Sequence, residues 1–263
     1  MIANFFQNLE RHTVEYLLIS GQATVLYGAA TFSEDIDLWV NPTEKNRAHF
    51  LSALRDSRAR YYKLTPAFTV ENLQRGHGFH FIVPASGGDF FLDVMGQPPR
   101  AGAFAAAAAT ARWMDSEWGA VHTIGIKPLV ELKKTQRLED YPVIGRLALA
   151  WLEQPEGSAS DADLLWALQN IFTLPELLAL FSEHPAAVPV AEKFNRELGD
   201  LGRQWLAGSD ADELVERRAS EFCQRRISEL QLADRRYWRS IIRELKTLRA
   251  TGKLMPEGEL LTV

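Results

Sequence analysis

Apolar and polar positions divide the chain into a first half of mixed strand and helix patterns and a second half that is helical throughout. Tyr16-Leu17-Leu18-Ile19 is a short apolar run stopping at Ser20-Gly21, the pattern of a buried strand entering a tight turn. Ala23 to Tyr27 follows as a short helix that Gly28 ends. In Ile36-Asp37-Leu38-Trp39-Val40 the alternation predicts a strand with Ile36, Leu38 and Val40 on one face and Asp37 and Trp39 on the other. Thr43 caps a predicted helix that runs through Ala48, Leu51 and Leu54. Phe79–Val83 and Phe90–Met95 read as two strands of a hairpin joined by Ala85-Ser86-Gly87-Gly88. Helix propensity covers Ala103 to Trp113, Val121–Ile124 adds a last strand, and Pro128 opens a helix reaching about Asp140.

Strand signals stop near Pro142. Pro155-Glu156-Gly157-Ser158 is the clearest break, and Thr173-Leu174-Pro175-Glu176 has the form of a capping box. Leu214, Ile227, Leu230, Trp238, Ile241, Leu245 and Leu248 keep helical spacing on a long terminal helix or pair. The pattern predicts an α+β protein: a mixed β-sheet domain with flanking helices over residues 1–150, then an all-helical domain over residues 151–263.

Composition narrows the function classes. The 263 residues are 46% hydrophobic and 24% charged, which excludes a disordered tail, a collagen-like repeat and a disulfide-stapled miniprotein. A single cysteine, Cys223, allows no internal disulfide and fits a reducing compartment. No run of 18 apolar residues exists, and the first residues lack a signal peptide's basic and apolar regions, so a cytoplasmic chain with no membrane partner is expected. The net charge is −5, yet Glu213 to Lys253 holds 11 Lys or Arg against 6 Asp or Glu, a local +5 that leaves −10 elsewhere. That imbalance argues against a uniform nucleic-acid coat while allowing one local phosphate-binding face.

Three carboxylates carry the candidate chemistry. Asp35 and Asp37 are two apart, so on a strand they share a face at about 6.6 Å. Two such carboxylates repel unless a cation lies between them, and hard oxygen ligands suit Mg²⁺. Asp93 stands within the apolar run Phe91-Leu92-Asp93-Val94-Met95, where an unpaired charge would cost several kcal/mol and so needs a partner or a metal. If its strand neighbours that of Asp37, the three form a cage for two cations of the kind that clamps a phosphoryl transfer. The turn Ser20-Gly21-Gln22 precedes this group, and a helix starting at Gln22 or Ala23 would aim free N–H groups at phosphates.

The stretches Leu17-Leu18-Ile19-Ser20-Gly21-Gln22-Ala23, Tyr27-Gly28 and Ser33-Glu34-Asp35-Ile36-Asp37-Leu38-Trp39-Val40 resemble the nucleotidyltransferase superfamily of the polymerase-β type. The chain looks most like its minimal members and the abortive-infection toxins of the AbiEii kind. The resemblance continues through Asp93 and the run from Leu129 to Asp140, which matches a late Lys…Arg…Asp motif. It implies a nucleotidyltransferase-type sheet and a Mg²⁺-dependent transfer of a nucleoside monophosphate from a nucleoside triphosphate to a hydroxyl of an RNA or protein acceptor. Asp35, Asp37 and Asp93 would be the metal ligands for two Mg²⁺ ions and the catalytic residues. Ser20, Gly21, Gln22, Ser33, Lys133 and Arg137 would bind the nucleotide, Ser20 and Gly21 at the β- and γ-phosphates. A cognate antitoxin or toxin is the partner this implies. The order Ser20-Gly21, Thr31 in place of an arginine and Val143 in place of a second aspartate depart from the family's pattern. An inactive member of the same fold, serving as antitoxin or scaffold, is the alternative.

Other features have plainer readings. His77 and His80 are three apart on a loop entering a strand, where His80 alternates outward from Phe79 and Phe81 within reach of an acceptor. Arg235, Arg239, Arg243 and Lys246 form one helical stripe, read as a solvated face rather than an RNA-binding one. Cys223 has no histidine near it in sequence and reads as structural.

Overall fold

The computed structural model describes residues 2–154, 159–208 and 212–261; the expected break at 155–158 lies outside them. Seven strands form in the first half: β1 (Tyr16–Ile19), β2 (Ile36–Val40), β3 (Arg60–Tyr61), β4 (Gly78–Val83), β5 (Phe90–Met95), β6 (Arg112–Ser116) and β7 (Gly119–Thr123). Interleaved are α1 (Ile2–Arg11), α2 (Ser20–Leu26), α3 (Glu44–Asp56), α4 (Val70–Gln74), α5 (Phe104–Ala108) and α6 (Ile126–Lys133). Among the described residues the elements that follow are α7 (Asp140–Glu153), α8 (Asp161–Asn170), α9 (Leu174–Glu183), α10 (Ala187–Phe194), α11 (Arg196–Ala207) and the long α12 (Asp212–Ala250), with an isolated bridge at Leu260. The chain is α+β, and none of the described helices is long and apolar enough to cross a membrane.

Contacts divide it into two compact units. One comprises Met1–Leu26, Ala30–Leu132 and Tyr237–Val263, the other Tyr27–Ala29 and Lys133–Arg236. The boundary therefore falls near residue 132 rather than 150, and the residues from Tyr237 onward count with the sheet rather than with the helices.

In the first unit the strands form one mixed sheet in the order β3-β4-β5-β2-β1-β7-β6. β2 runs parallel to β5 and β1 parallel to β7, while the other neighbours are antiparallel. Alternation sorts the side chains by face. Phe79, Phe81, Leu92, Val94, Ile36 and Leu38 are fully buried on one face. Phe5 of α1 meets Phe90 edge-on at 5.7 Å, and Phe68 bridges Phe50 of α3 to Phe79. On the opposite face Trp39 is buried edge-on against Phe104 of α5 and donates its indole N–H to the Gly96 carbonyl at 2.8 Å. That face also carries Asp37, Asp93 and His80.

Two helix limits differ from expectation. The helix over Ala103–Trp113 shortens to α5, and Trp113 belongs to β6, because Gly119 at φ +102° closes a β6–β7 hairpin. The helix begun near Pro128 ends at Lys133 rather than Asp140, since residues 134–139 form a turn bound to the Asp140 side chain. At Thr43 the expected cap forms, the hydroxyl accepting from the Asn46 N–H at 3.2 Å. Thr173 instead turns its hydroxyl to the Glu176 carboxylate and caps no backbone N–H.

The second unit buries Leu164, Leu168, Leu177, Leu180, Phe181, Leu198 and Leu201 against Val215, Ala219 and Phe222 of α12. Leu214, expected inside, is exposed; Val215 takes the buried position. Cys223 lies in this core, and burial pushes its thiol up to about 11. A buried thiol of that basicity is almost wholly protonated at pH 8, so native protein should alkylate with iodoacetamide far more slowly than protein in urea. Equal rates would show the thiol to be open.

Candidate functional site

Strand register assembles the site. β2 and β5 pair in parallel with Ile36 opposite Leu92, Asp37 opposite Asp93 and Trp39 opposite Met95. Neighbouring strands lie about 4.8 Å apart, so the two aspartates stand side by side on one face. Asp35 sits one residue before β2 on the same face and senses the Asp93 charge. Its carboxyl is raised above its usual range by partial burial first and by Asp93 second, with Lys63 and His80 acting in the opposite direction. The three carboxylates predicted to converge therefore lie on one face of neighbouring strands.

Antiparallel pairing of β4 with β5 sets His80 opposite Asp93. The His80 Nδ1 lies 2.7 Å from Asp93 Oδ1, both side chains partly exposed. Phe79 and Phe81 are buried on the other face, so His80 does alternate outward, and it engages Asp93 directly. His77 is instead fully buried, with Nε2 3.2 Å from Glu244 of α12.

On the far side of β2, β1 lies antiparallel with Ile19 opposite Asp37. The chain turns there into α2, which begins at Ser20 itself rather than at Gln22 or Ala23. Ser20 adopts φ +57°, a left-handed conformation costly for a residue with a Cβ. Gly21 is required by close approach: a Cβ on it would come within 2.1 Å of Ser33 Oγ. Gln22 donates its side-chain amide to the Ser33 carbonyl at 2.8 Å. Gly21, Gln22 and Ser33, all predicted to bind the nucleotide, are thus locked to one another at the turn that follows β1.

Lys133 and Arg137 belong to the helical unit. Lys133 is buried with its Nζ 3.2 Å from Asp140 Oδ1, while Arg137 Nε donates to Asp140 Oδ2 at 3.0 Å. Thr135 donates its hydroxyl to the same Oδ2 at 2.6 Å. The late motif is a closed network centred on Asp140, a role that the sequence reading did not assign.

Among the described residues, no group of three or more His, Cys, Asp or Glu stands in an arrangement ready to hold a metal ion. The donor set nonetheless suits a hard cation: the carboxylates are crowded enough for Asp93 to raise the proton affinity of Asp35, and a divalent ion relieves such crowding. A groove of about 680 Å³ lies between α1, the residues after α3 and the β4–β5 turn, but its polar lining is largely satisfied by Arg11–Asp56 and Asn8–Ser57 pairs.

Comparison with protein-family models, with curated proteins and with solved structures finds no match in any of the three.

The Asp35 shift has a measurable consequence. Unfolded, the carboxyl ionises near 3.9, and folded it ionises higher, so the native state binds this proton more tightly. Its contribution to stability is complete below the unfolded value and is lost as pH rises through the folded one. Asp35→Asn should accordingly raise the melting temperature at pH 7 and leave it unchanged at pH 3 in a thermal-shift measurement. A lower melting temperature at pH 7 would show that the ionised side chain stabilises the fold.

Proposed function

We propose that this chain is a Mg²⁺-dependent nucleotidyltransferase that moves a nucleoside monophosphate from a nucleoside triphosphate to an acceptor hydroxyl. The observation that carries the reading is the register of Asp37 against Asp93, with Asp35 beside them and the strained Ser20-Gly21 turn one strand away. Asp35 and Asp37 would hold Mg²⁺, with Asp93 sharing a metal. Bound there, the ion supplies charge compensation for the transferring phosphoryl group. Backbone N–H groups at Ser20 and Gly21 contact the β- and γ-phosphates. The Asp93 carboxylate accepts the proton of the attacking hydroxyl while His80 fixes one of its oxygens. The acceptor oxygen bonds to the α-phosphorus as the α–β bridging bond breaks, and pyrophosphate leaves with the bonding pair.

A non-catalytic nucleotide-binding module is the second reading. It is favoured by the engagement of Asp93 with His80 and by the absence of a ready three-ligand group among the described residues. Transfer of radiolabel from each of the four α-labelled nucleoside triphosphates, with Mg²⁺, into total RNA and protein separates the two. Labelling by wild type that is lost in Asp35→Ala/Asp37→Ala supports the transferase. Nucleotide binding without labelling supports the module, and neither overturns both.

A further inference from the structure

Beside the carboxylates lies an aromatic surface that the proposed chemistry does not use. Phe91 is two residues before Asp93 on β5, so it projects from the same face. It is 41% exposed, whereas its strand neighbours Phe90 and Leu92 are buried. The Tyr62 ring packs against it, with centroids 5.0 Å apart and the planes tilted by 31°. The Lys63 Nζ stands 4.8 Å from the Tyr62 ring centre and 5.9 Å from that of Phe91. Lys63 holds φ +52°, uncommon for a residue with a side chain.

This turn is clamped to the site. Tyr62 donates its N–H to the His80 carbonyl at 2.9 Å. Buried Thr65 receives the His80 N–H at 3.0 Å and donates its hydroxyl to the Tyr62 carbonyl at 2.8 Å. The backbone that carries Tyr62 is therefore tied to the strand that carries His80 before any ligand arrives.

Resting on the transferase reading, we propose that Phe91, Tyr62 and Lys63 form the acceptor subsite, where the terminal base of a single-stranded RNA stacks on the exposed Phe91 ring, which Tyr62 backs, and Lys63 meets its phosphate. Sheet order sets the donor and acceptor apart. The Ser20-Gly21 turn follows β1, two strands and about 10 Å from β5, whereas the aromatic surface lies on the β5–β4–β3 side beyond Asp93. A triphosphate at β1 and β2 leaves the β5 side for the group whose hydroxyl gives its proton to Asp93. Flat rings beside a cation suit a nucleobase and its phosphate, since every base offers a face for stacking.

The test measures binding and transfer separately on the full chain. Anisotropy of a labelled single-stranded RNA 12-mer with a free 3′ hydroxyl, without nucleotide, reads the subsite independently of catalysis. Phe91→Ala should weaken RNA binding about 5- to 150-fold, and Phe91→Trp should restore it. In the transfer assay Phe91→Ala should raise KM for RNA by a similar factor and leave KM for the nucleotide unchanged. RNA binding that depends on Phe91 in a protein that transfers no label keeps the RNA surface and removes the transferase reading. Unchanged RNA binding in Phe91→Ala, a KM effect on the nucleotide instead, or labelling of protein but not RNA overturns the subsite.

Discussion

Asp37→Asn is expected to lower nucleotidyl transfer about a thousandfold or more, because a divalent cation's charge compensation is worth several kcal/mol and each 1.36 kcal/mol is tenfold in rate. Asparagine keeps the shape of the side chain and removes only its charge. The residue stands opposite Asp93 with Asp35 on the same face, so the substitution removes one carboxylate from the group proposed to hold the cation. The near-isosteric replacement should leave the protein folded at pH 7. Two measurements check this together: kcat/KM for label transfer, which should collapse, and the rise in melting temperature on adding Mg²⁺ with a nucleoside triphosphate, which should be present in wild type and absent in the variant. Full activity in Asp37→Asn would remove the carboxylate pair from the chemistry.

The largest stability effect is expected at Asp140. Its side chain is nearly inaccessible, and it receives Lys133, Arg137 and the Thr135 hydroxyl. Asp140→Ala leaves the buried Lys133 ammonium without its counter-charge, and stranding one member of a buried pair costs about 3–5 kcal/mol. The turn over residues 134–139 also loses its anchor, although Tyr141 still donates to the Thr135 carbonyl at 2.7 Å. Urea denaturation should show a lower midpoint, and the double variant Lys133→Met/Asp140→Leu should recover much of the loss because it leaves no charge buried. A single variant as stable as wild type would show Lys133 to be solvated.

The sequence patterns were informative wherever local alternation decides the outcome. The limits of β1, β2 and β5 match their apolar runs, and the faces of β2 follow from its period of two. The His80–Asp93 pairing was also within reach: once Val83 and Phe90 close a hairpin, counting back three residues and forward three places these two opposite each other. The register of β2 against β5 was not, because those strands pair across some fifty intervening residues and alternation says nothing about which strands meet. β6 was hidden by the alanine-rich run before it, whose helix propensity extends past the point where the β6–β7 hairpin takes over. The use of Lys133 and Arg137 within the helical unit depended on Asp140 turning back onto them, a contact that spacing alone does not distinguish from a free basic pair.

The return of the late residues to the sheet unit bears on how the molecule is made. Arg60 bridges Leu260, Tyr61 donates its N–H to the Glu259 carbonyl at 3.0 Å, and Met255 donates to the Thr65 carbonyl at 2.8 Å, next to the turn that carries Lys63. During translation at about 5–20 residues per second these segments leave the ribosome tens of seconds after β3. The nascent sheet waits that long with its β3 edge uncovered, and expression as severed halves would deprive it of this closing segment altogether.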